Sequence, residues 1–311
     1  MPLDPSVKAL FQQAPQLPDF PFWSMSVPEA RAAFSALCKM GSPTDVPIGK
    51  VETIEIPGPA GAIAARVYTP VAAGGEALPA IVFFHGGGFV LGDLDCYDPL
   101  ARMLTNESGC RLIAVDYRLA PEHVFPAAVD DCYGAFKWVE GNAPALGVDA
   151  TRIAVAGDSA GGNLAAAAVL MAKEKGAGPP AFQLLMYPAL SADLQSGSAQ
   201  EFAQGYFLGL QAIAWFMRHY APNPDPGDYR LIPMSAKDVS GLPPTLIITA
   251  GCDPLRDGAK AYAGRLKAAG VKVTYVDYPT MIHSFFSMAN FLPVAREAIA
   301  AAGKAVKDAL G

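Results

Sequence analysis

Long apolar runs and a basic leader are both missing from this sequence. The apolar stretch at residues 164–172 falls well short of the roughly 18 residues that a membrane-spanning helix needs. The first residues lack the positively charged region and apolar core of a secretory signal. These absences predict a protein with no integral membrane association.

Positive charge is also in short supply. The 311-residue chain carries 23 Lys and Arg against 29 Asp and Glu, which gives a formal net charge of −6. No basic cluster interrupts this acidic composition, and binding to nucleic acid depends on such clusters. We therefore expect no nucleic-acid partner, and the same charge disfavours anionic lipid surfaces.

Cysteine and histidine are too few and too scattered for a metal centre or a disulfide framework. The five cysteines and four histidines form no CxxC pair and no mixed cluster, and an odd number of cysteines cannot all pair. The sequence predicts no metal site, no organic cofactor and reduced thiols in a cytoplasmic protein. The cysteines are Cys38, Cys96, Cys110, Cys132 and Cys252.

Apolar runs bounded by Gly and Pro recur from residue 51 onward, and the later ones alternate with helix-like segments. This alternation predicts an α/β fold with a mostly parallel sheet and helices on both faces. The first two runs follow each other without a helix, which favours an antiparallel leading edge. The predicted strands are 51–56, 63–68, 80–84, 112–117, 153–156, 182–187, 245–250 and 271–278, and the predicted helices of the sheet layers are 127–140, 160–175, 257–269 and 293–310.

Two regions depart from the alternation of strands and helices. Residues 1–45 precede the first strand, and residues 189–243 separate two core strands by far more than an ordinary connection. An aromatic amphipathic stretch lies at 206–220. We expect both regions to form a helical cap over a core made of residues 46–188 and 244–311.

The strongest chemical signal is Gly157-Asp158-Ser159-Ala160-Gly161, a G-x-S-x-G pattern between a strand and an Ala-rich helix. In that context the pattern is typical of the nucleophile elbow of an α/β-hydrolase. Glycines two residues to either side of Ser159 are needed because a Cβ there would clash with the neighbouring strand or helix. Asp158 either hydrogen-bonds neighbouring loops or approaches the leaving group.

Three glycines, Gly86 to Gly88, follow His85 directly after the strand at 80–84. Exposed backbone N–H groups can stabilise the oxyanion of acyl transfer, and this HGGG type is a known partner of the nucleophile elbow. We expect the N–H groups of Gly87, Gly88 and Ala160 to form the oxyanion hole.

A serine nucleophile needs a base that titrates near neutrality, and the chain order of this fold is Ser, acid, His. That order leaves His219 and His283, of which His283 follows the last strand and His219 falls in the predicted cap. Asp253 comes directly off the strand before it, whereas Asp257 looks like a first-turn residue of the next helix. The predicted triad is Ser159, His283 and Asp253.

Four segments together resemble the hormone-sensitive-lipase-like esterases, the bacterial family IV carboxylesterases, in the subgroup with Gly-Asp-Ser-Ala-Gly. They are residues 85–89 (HGGGF), 116–123 (DYRLAPEH), 157–164 (GDSAGGNL) and 253–257 (DPLRD). The resemblance runs from about residue 45 to the C-terminus. Ser284 departs from the pattern, since the family usually has Gly after the catalytic His.

The resemblance implies an α/β-hydrolase core of about eight strands, a helical cap, short-acyl ester substrates and often a homodimer. It also implies structural roles for Asp116, Arg118, Pro121, Glu122 and Pro126. Aromatic residues of the two flanking regions are candidates for an apolar substrate wall; together with Asp158, the predicted substrate-binding residues are Phe22, Trp23, Tyr206 and Phe207.

Three alternatives stay open at this point. The same residues could act on amides or on another acyl donor, or the protein could be a true lipase for long-chain emulsified lipid. A non-enzymatic binding protein on this fold is the third, although such proteins usually lack a member of the triad.

Overall fold

The computed structural model describes residues 3–311, whose central feature is an eight-stranded sheet in the order β1-β2-β4-β3-β5-β6-β7-β8. From β4 to β8 all neighbouring strands are parallel, and only β2 runs against its two neighbours. The antiparallel leading edge is therefore confirmed. The strands are β1 Lys50–Gly58, β2 Gly61–Thr69, β3 Leu78–Phe84, β4 Arg111–Val115, β5 Val148–Asp158, β6 Phe182–Met186, β7 Thr245–Cys252 and β8 Val273–Ile282.

The last strand is longer than the sequence predicts. After a register shift between Ala250 and Cys252 on β7, pairing resumes between Cys252 and Ile282. This extra pairing carries β8 to Ile282 instead of residue 278, so His283 follows the strand end directly. A bulge of this kind leaves no clear signature in the hydrophobic pattern, which explains the miss.

Helices cover both faces of the sheet, as α/β patterning predicts. They are α1 Pro5–Gln13, α2 Val27–Gly41, α3 Asp98–Ser108, α4 Ala127–Gly141, α5 Ala160–Glu174, α6 Gly197–Glu201, α7 Leu210–Tyr220, α8 Arg256–Ala268 and α9 Pro293–Leu310. None of the helices within residues 3–311 has both the length and the apolar character to cross a lipid bilayer.

Side chains of the central strands alternate between two buried cores. On β3, Val82 and Phe84 pack into the core that contains α4 and α5, while Ile81 and Phe83 pack into the core that contains α3 and α9. This alternation is the period of two expected of a strand covered on both faces. All five cysteines are buried and free.

The two predicted cap segments contact each other. The N–H of Phe207 donates to the carbonyl of Pro18 at 2.7 Å, and the N–H of Gly205 donates to Asp19 Oδ1 at 2.6 Å. Helix α7 also packs on the short helical turn Phe22–Ser24. The division of the chain into cap segments and core segments at 45, 188 and 243 stays a prediction.

Candidate active site

Ser159 lies at the turn between β5 and α5, in a conformation that few residues other than glycine adopt. Its φ is 53° and its ψ is −117°, which is a strained backbone geometry for a residue with a side chain. A Cβ on Gly157 would lie 2.2 Å from the carbonyl oxygen of Gly161, and one on Gly161 would lie 2.0 Å from that of Phe84. The flanking glycines thus allow the turn to be tight enough to present Ser159.

Ser159, His283 and Asp253 form one chain of hydrogen bonds. His283 Nε2 lies 2.8 Å from Ser159 Oγ, and His283 Nδ1 lies 2.7 Å from Asp253 Oδ2. An ionised carboxylate can only accept, so Nδ1 carries the proton of a neutral His283 and its Nε2 is the free acceptor for the serine hydroxyl. His283 and Asp253 are both buried, whereas Ser159 is half-buried.

The sheet itself brings these three side chains together. Asp253 and His283 each follow the end of one of two adjacent parallel strands, β7 and β8, and Ser159 follows β5. Asp253 is further held by the N–H of Leu255, which donates to its Oδ1 at 2.8 Å. Asp257 instead lies in the first turn of α8, where its Oδ2 accepts the N–H of Ser198 at 2.8 Å.

Two other histidines have different surroundings. His85 is buried and stacked on Tyr117, with ring centroids 4.4 Å apart, and burial lowers its pKa to about 4. Its Nδ1 lies 2.7 Å from the carbonyl of Gly86 and must donate, since a carbonyl only accepts. His219 lies edge-on to Trp215, with ring centroids 4.5 Å apart, within the segment predicted to belong to the cap.

Gly87, Gly88 and Ala160 line the same cavity as Ser159 and His283. Ala160 is the first residue of α5, where N–H groups lack partners within the helix and the helix dipole favours negative charge. The arrangement has the composition of an oxyanion hole beside a nucleophile.

Asp158 hydrogen-bonds a neighbouring loop, which was one of the two roles left open. It is fully buried and accepts the N–H of Gly86 at 2.7 Å and the hydroxyl of Tyr97 at 3.2 Å. Burial raises its pKa to about 7, against the opposing effect of the Gly86 bond. Asp158 thus connects the elbow to the glycine segment without facing the cavity itself.

The cavity in front of Ser159 has a mostly apolar wall. Of the predicted wall residues, Phe22 and Phe207 line it, whereas Trp23 and Tyr206 do not. Trp23 lines a different depression beside Gly209, and Tyr206 packs on Phe202 with ring centroids 4.9 Å apart. Alternation along an irregular segment explains the difference, because neighbouring side chains there point in different directions.

Several wall residues escaped the sequence analysis. Helix α7 presents one face to the cavity, and that face follows the helical spacing i, i+1, i+4, i+5. The aromatic stretch contains this helical spacing, but the spacing identifies the cavity-facing residues only when α7 is known to begin at Leu210. The α7 residues are Ala212, Ile213, Phe216 and Met217, and the other missed wall residues are Phe34, Phe89, Ala189, Leu208, Leu255 and Ser284.

Positive φ angles concentrate around this cavity. Among residues 3–311, the non-glycine residues with positive φ are Phe89, Ser159, Tyr187, Phe207 and Ser284. Four of them line the cavity, and the ring of Tyr187 lies edge-on to His283 at 5.1 Å. Such conformations cluster at functional sites because surrounding structure must hold them in place.

A serine at a strand–helix elbow, hydrogen-bonded to a histidine and an aspartate at the ends of later parallel strands, defines an α/β-hydrolase. A family model described as alpha/beta hydrolase fold matches residues 81–287. The chain is 44% identical to carboxylesterase NlhH of Mycobacterium tuberculosis over 252 residues, which are 80% of this chain and 79% of the relative. It is 35% identical to an arylesterase of Saccharolobus solfataricus over 92% of both chains.

Solved structures agree with these relatives. An ester hydrolase from the metagenome of Lake Arreo superposes with a TM-score of 0.95 at 40% identity, covering 98% of both chains. The Pyrobaculum calidifontis esterase superposes with a TM-score of 0.90 at 43% identity, covering both chains fully. The chain belongs to the family that its motifs resemble, the hormone-sensitive-lipase-like carboxylesterases of the α/β-hydrolase fold. Its place in the Gly-Asp-Ser-Ala-Gly subgroup stays a prediction.

Proposed function

We propose that the protein hydrolyses carboxylic esters with short to medium acyl chains through an acyl-enzyme on Ser159. The observation that carries this proposal is the unbroken hydrogen-bond chain from Ser159 Oγ through His283 to Asp253, with distances of 2.8 and 2.7 Å. The relatives named carboxylesterase and arylesterase support the same reaction class.

In the first half-reaction, Ser159 Oγ attacks the ester carbonyl carbon while His283 Nε2 takes the hydroxyl proton. The N–H groups of Gly87, Gly88 and Ala160 donate to the oxyanion, and Asp253 stabilises the imidazolium. The carbon–alkoxy bond then breaks, and Nε2 returns its proton to the leaving alcohol oxygen.

In the second half-reaction, water attacks the acyl carbon as His283 Nε2 takes one of its protons. The second tetrahedral intermediate uses the same backbone donors. Its collapse breaks the bond to Ser159 Oγ, which regains the proton from Nε2. No step requires a group beyond these side chains and the backbone of the elbow and the glycine segment.

The cavity supports small apolar ester groups as substrates. Phe22, Phe34 and Phe216 line the cavity with Ser159, and apolar atoms make up most of the wall. Burying each methylene of a substrate in such a wall is favourable by about 0.8 kcal/mol. Aromatic rings on several sides limit how many methylenes fit, which favours short chains over the long chains of a lipase.

The test is hydrolysis of p-nitrophenyl esters from acetate to palmitate by wild type and Ser159→Ala. We expect the highest kcat/KM at short acyl chains and a loss on the order of a million-fold in the variant. Ser240→Ala, at an exposed serine on a turn away from the cavity, serves as the matched control and should keep wild-type rates. An inactive wild type, or an active Ser159→Ala, would refute the proposal.

A further inference from the structure

A second apolar cavity adjoins the one in front of Ser159, and three residues belong to the walls of both. The shared residues are Phe34 on α2, Phe207 and Ser284. No charged side chain is found among the described residues around the second cavity. Its other wall residues are Leu10, Leu17, Leu37, Cys38, Met40, Gly41, Ser287, Met288 and Phe291.

The partition between the two cavities has a strained backbone. Phe207 has a φ of 75° and Ser284 a φ of 60°, and a positive φ is an outlier for a residue as bulky as phenylalanine. The N–H of Phe207 is fixed to the carbonyl of Pro18 at 2.7 Å, which helps to hold this geometry. Phe34 and Phe207 are only half-buried, so neither ring is fully enclosed by neighbouring side chains.

The position of Ser284 indicates which half of an ester faces the partition. Ser284 follows His283, whose Nε2 must reach the leaving alkoxy oxygen to protonate it. In the reaction proposed above, the carbonyl oxygen faces the N–H groups of Gly87 and Gly88 instead. This orientation places the alcohol half of the ester on the side of the partition and the acyl half along the rest of the wall, to which α7 contributes four residues.

We propose that the second cavity receives the alkyl chain of the alcohol half of the ester, and that the Phe34 and Phe207 rings restrict entry to it. This inference rests on the ester hydrolysis proposed above. The two rings are specificity-determining residues: closed, they limit the alcohol to short groups; displaced or removed, they admit longer alkyl chains. Neither ring takes part in bond making or breaking.

The experiment measures kcat/KM by pH-stat for ethyl, butyl, hexyl and octyl acetate, with p-nitrophenyl acetate and octanoate as the acyl series. The variants are Phe34→Ala and Phe207→Gly, the second at a position whose φ already suits glycine. Each further methylene that reaches an apolar cavity is worth roughly fourfold. We expect the octyl-to-ethyl ratio to rise at least tenfold in both variants, with the octanoate-to-acetate ratio unchanged.

Two controls separate the effect from general loosening. Phe216→Ala enlarges only the first cavity and should leave the octyl-to-ethyl ratio near that of wild type. Phe34→Ala combined with Leu37→Trp fills the second cavity again and should remove the gain. Circular dichroism spectra and thermal unfolding midpoints close to those of wild type show that each variant is folded.

The outcomes separate this inference from the proposed function. A rise in the octanoate-to-acetate ratio instead would assign the second cavity to the acyl chain and overturn the inference. Unchanged ratios in both ring variants would show that the cavities do not communicate, which also overturns it. In either case, loss of p-nitrophenyl acetate hydrolysis in Ser159→Ala would leave the esterase proposal standing.

Discussion

At the scale of single residues, Asp158 is unusual because its carboxyl group is buried next to Ser159 but does not belong to the hydrogen-bond chain of Ser159. Its carboxylate accepts the Gly86 N–H, directly before the predicted oxyanion donors. In Asp158→Ala that N–H loses its partner inside the protein, so the glycine segment loses an anchor. We expect kcat to fall by about tenfold or more with little change in KM, because oxyanion donors act mainly in the transition state.

Asp158→Asn is the matched variant, since an amide oxygen can still accept the Gly86 N–H. It should recover most of the kcat lost in the alanine variant on p-nitrophenyl acetate. Equal losses in both variants would point to the charge of Asp158 rather than to its anchoring bond.

Wild type and Asp158→Asn should also differ in how their free energy of unfolding depends on pH. Burial raises the pKa of folded Asp158 to about 7 from its usual 3.8, so folded protein holds a proton that the unfolded chain has released between those values. This contribution to stability is complete below about pH 4 and is lost as the pH rises through 7. In urea unfolding, the free energy of unfolding of wild type should therefore fall relative to that of Asp158→Asn as the pH rises over that range. A constant difference between the two proteins would contradict the raised pKa of Asp158.

At the scale of elements, the contact between α2 and the core depends on Arg31. Its guanidinium donates to Glu122 through both Nη atoms, at 2.8 and 2.7 Å, and to the carbonyls of Val90 and Ala120 at 2.9 and 3.0 Å. Phe34 lies one turn along the same helix and lines the cavity. Arg31 thus ties a wall of the cavity to the two core loops that carry the HGGGF and DYRLAPEH motifs.

Arg31→Ala should lower the free energy of unfolding by about 1 kcal/mol, since it leaves two part-buried carbonyls without this partner, while the exposed Glu122 carboxylate stays hydrated. KM for p-nitrophenyl acetate should rise more than kcat falls, because the wall loosens while the hydrogen-bond chain at Ser159 is untouched. Lys304→Ala removes an exposed ion pair on α9 and is the control, with an expected change below 0.5 kcal/mol. An equal change in the free energy of unfolding in both variants would show that Arg31 contributes no more to stability than an exposed ion pair.

Glu122, the partner of Arg31, allows a further test of this contact by measuring stability at acid pH. The hydrogen bonds from Arg31 hold the pKa of Glu122 at about 2, below its usual 4.5. A lowered folded pKa stabilises the protein above about pH 4.5, and that stabilisation is lost as the pH falls towards 2. The stability difference between wild type and Arg31→Ala should shrink over this interval.

The elements also show where sequence reasoning succeeds and where it stops. Strands with continuous apolar runs, such as β3 and β7, were predicted within two residues at each end because burial on both faces leaves little choice. Helix α3 was missed although its buried residues follow helical spacing, because it is a short segment of mostly polar composition between two motifs. Ser159, His283 and Asp253 were predictable because each follows a strand in a set chain order.

Cavity walls were less predictable, because they depend on which way irregular segments turn. Trp23 and Tyr206 sit next to Phe22 and Phe207, yet only the second pair lines the cavity. The position of Ser284 was easier to interpret, because the family usually has Gly there and glycine is typical of positions with a positive φ. Its φ of 60° explains why glycine is usual there.

At the scale of the whole molecule, the two cores and the N-terminal helices are joined without a disulfide among the described residues. Packing and hydrogen bonds alone then hold α2 against the rest of the chain. A hydrogen bond with the Cys96 thiol, together with burial, raises the pKa of Cys38 on this helix well above its usual value, which disfavours the reactive thiolate. Cys132 on α4 belongs to one core, whereas Cys38, Cys96 and Cys252 all belong to the other, with Cys38 and Cys96 nearer its surface than Cys252.

The accessibility of each buried thiol to an alkylating reagent therefore reports when the part of the molecule around it opens. Alkylation in rising urea, read residue by residue by mass spectrometry, should modify Cys38 and Cys96 at lower denaturant than Cys132 and Cys252. That sequence would mean that α2 separates from the rest of the chain while the interior around Cys132 and Cys252 remains closed, so that access to Ser159 can change without global unfolding. Simultaneous labelling of all four would mean that α2 and the interior open as one cooperative unit.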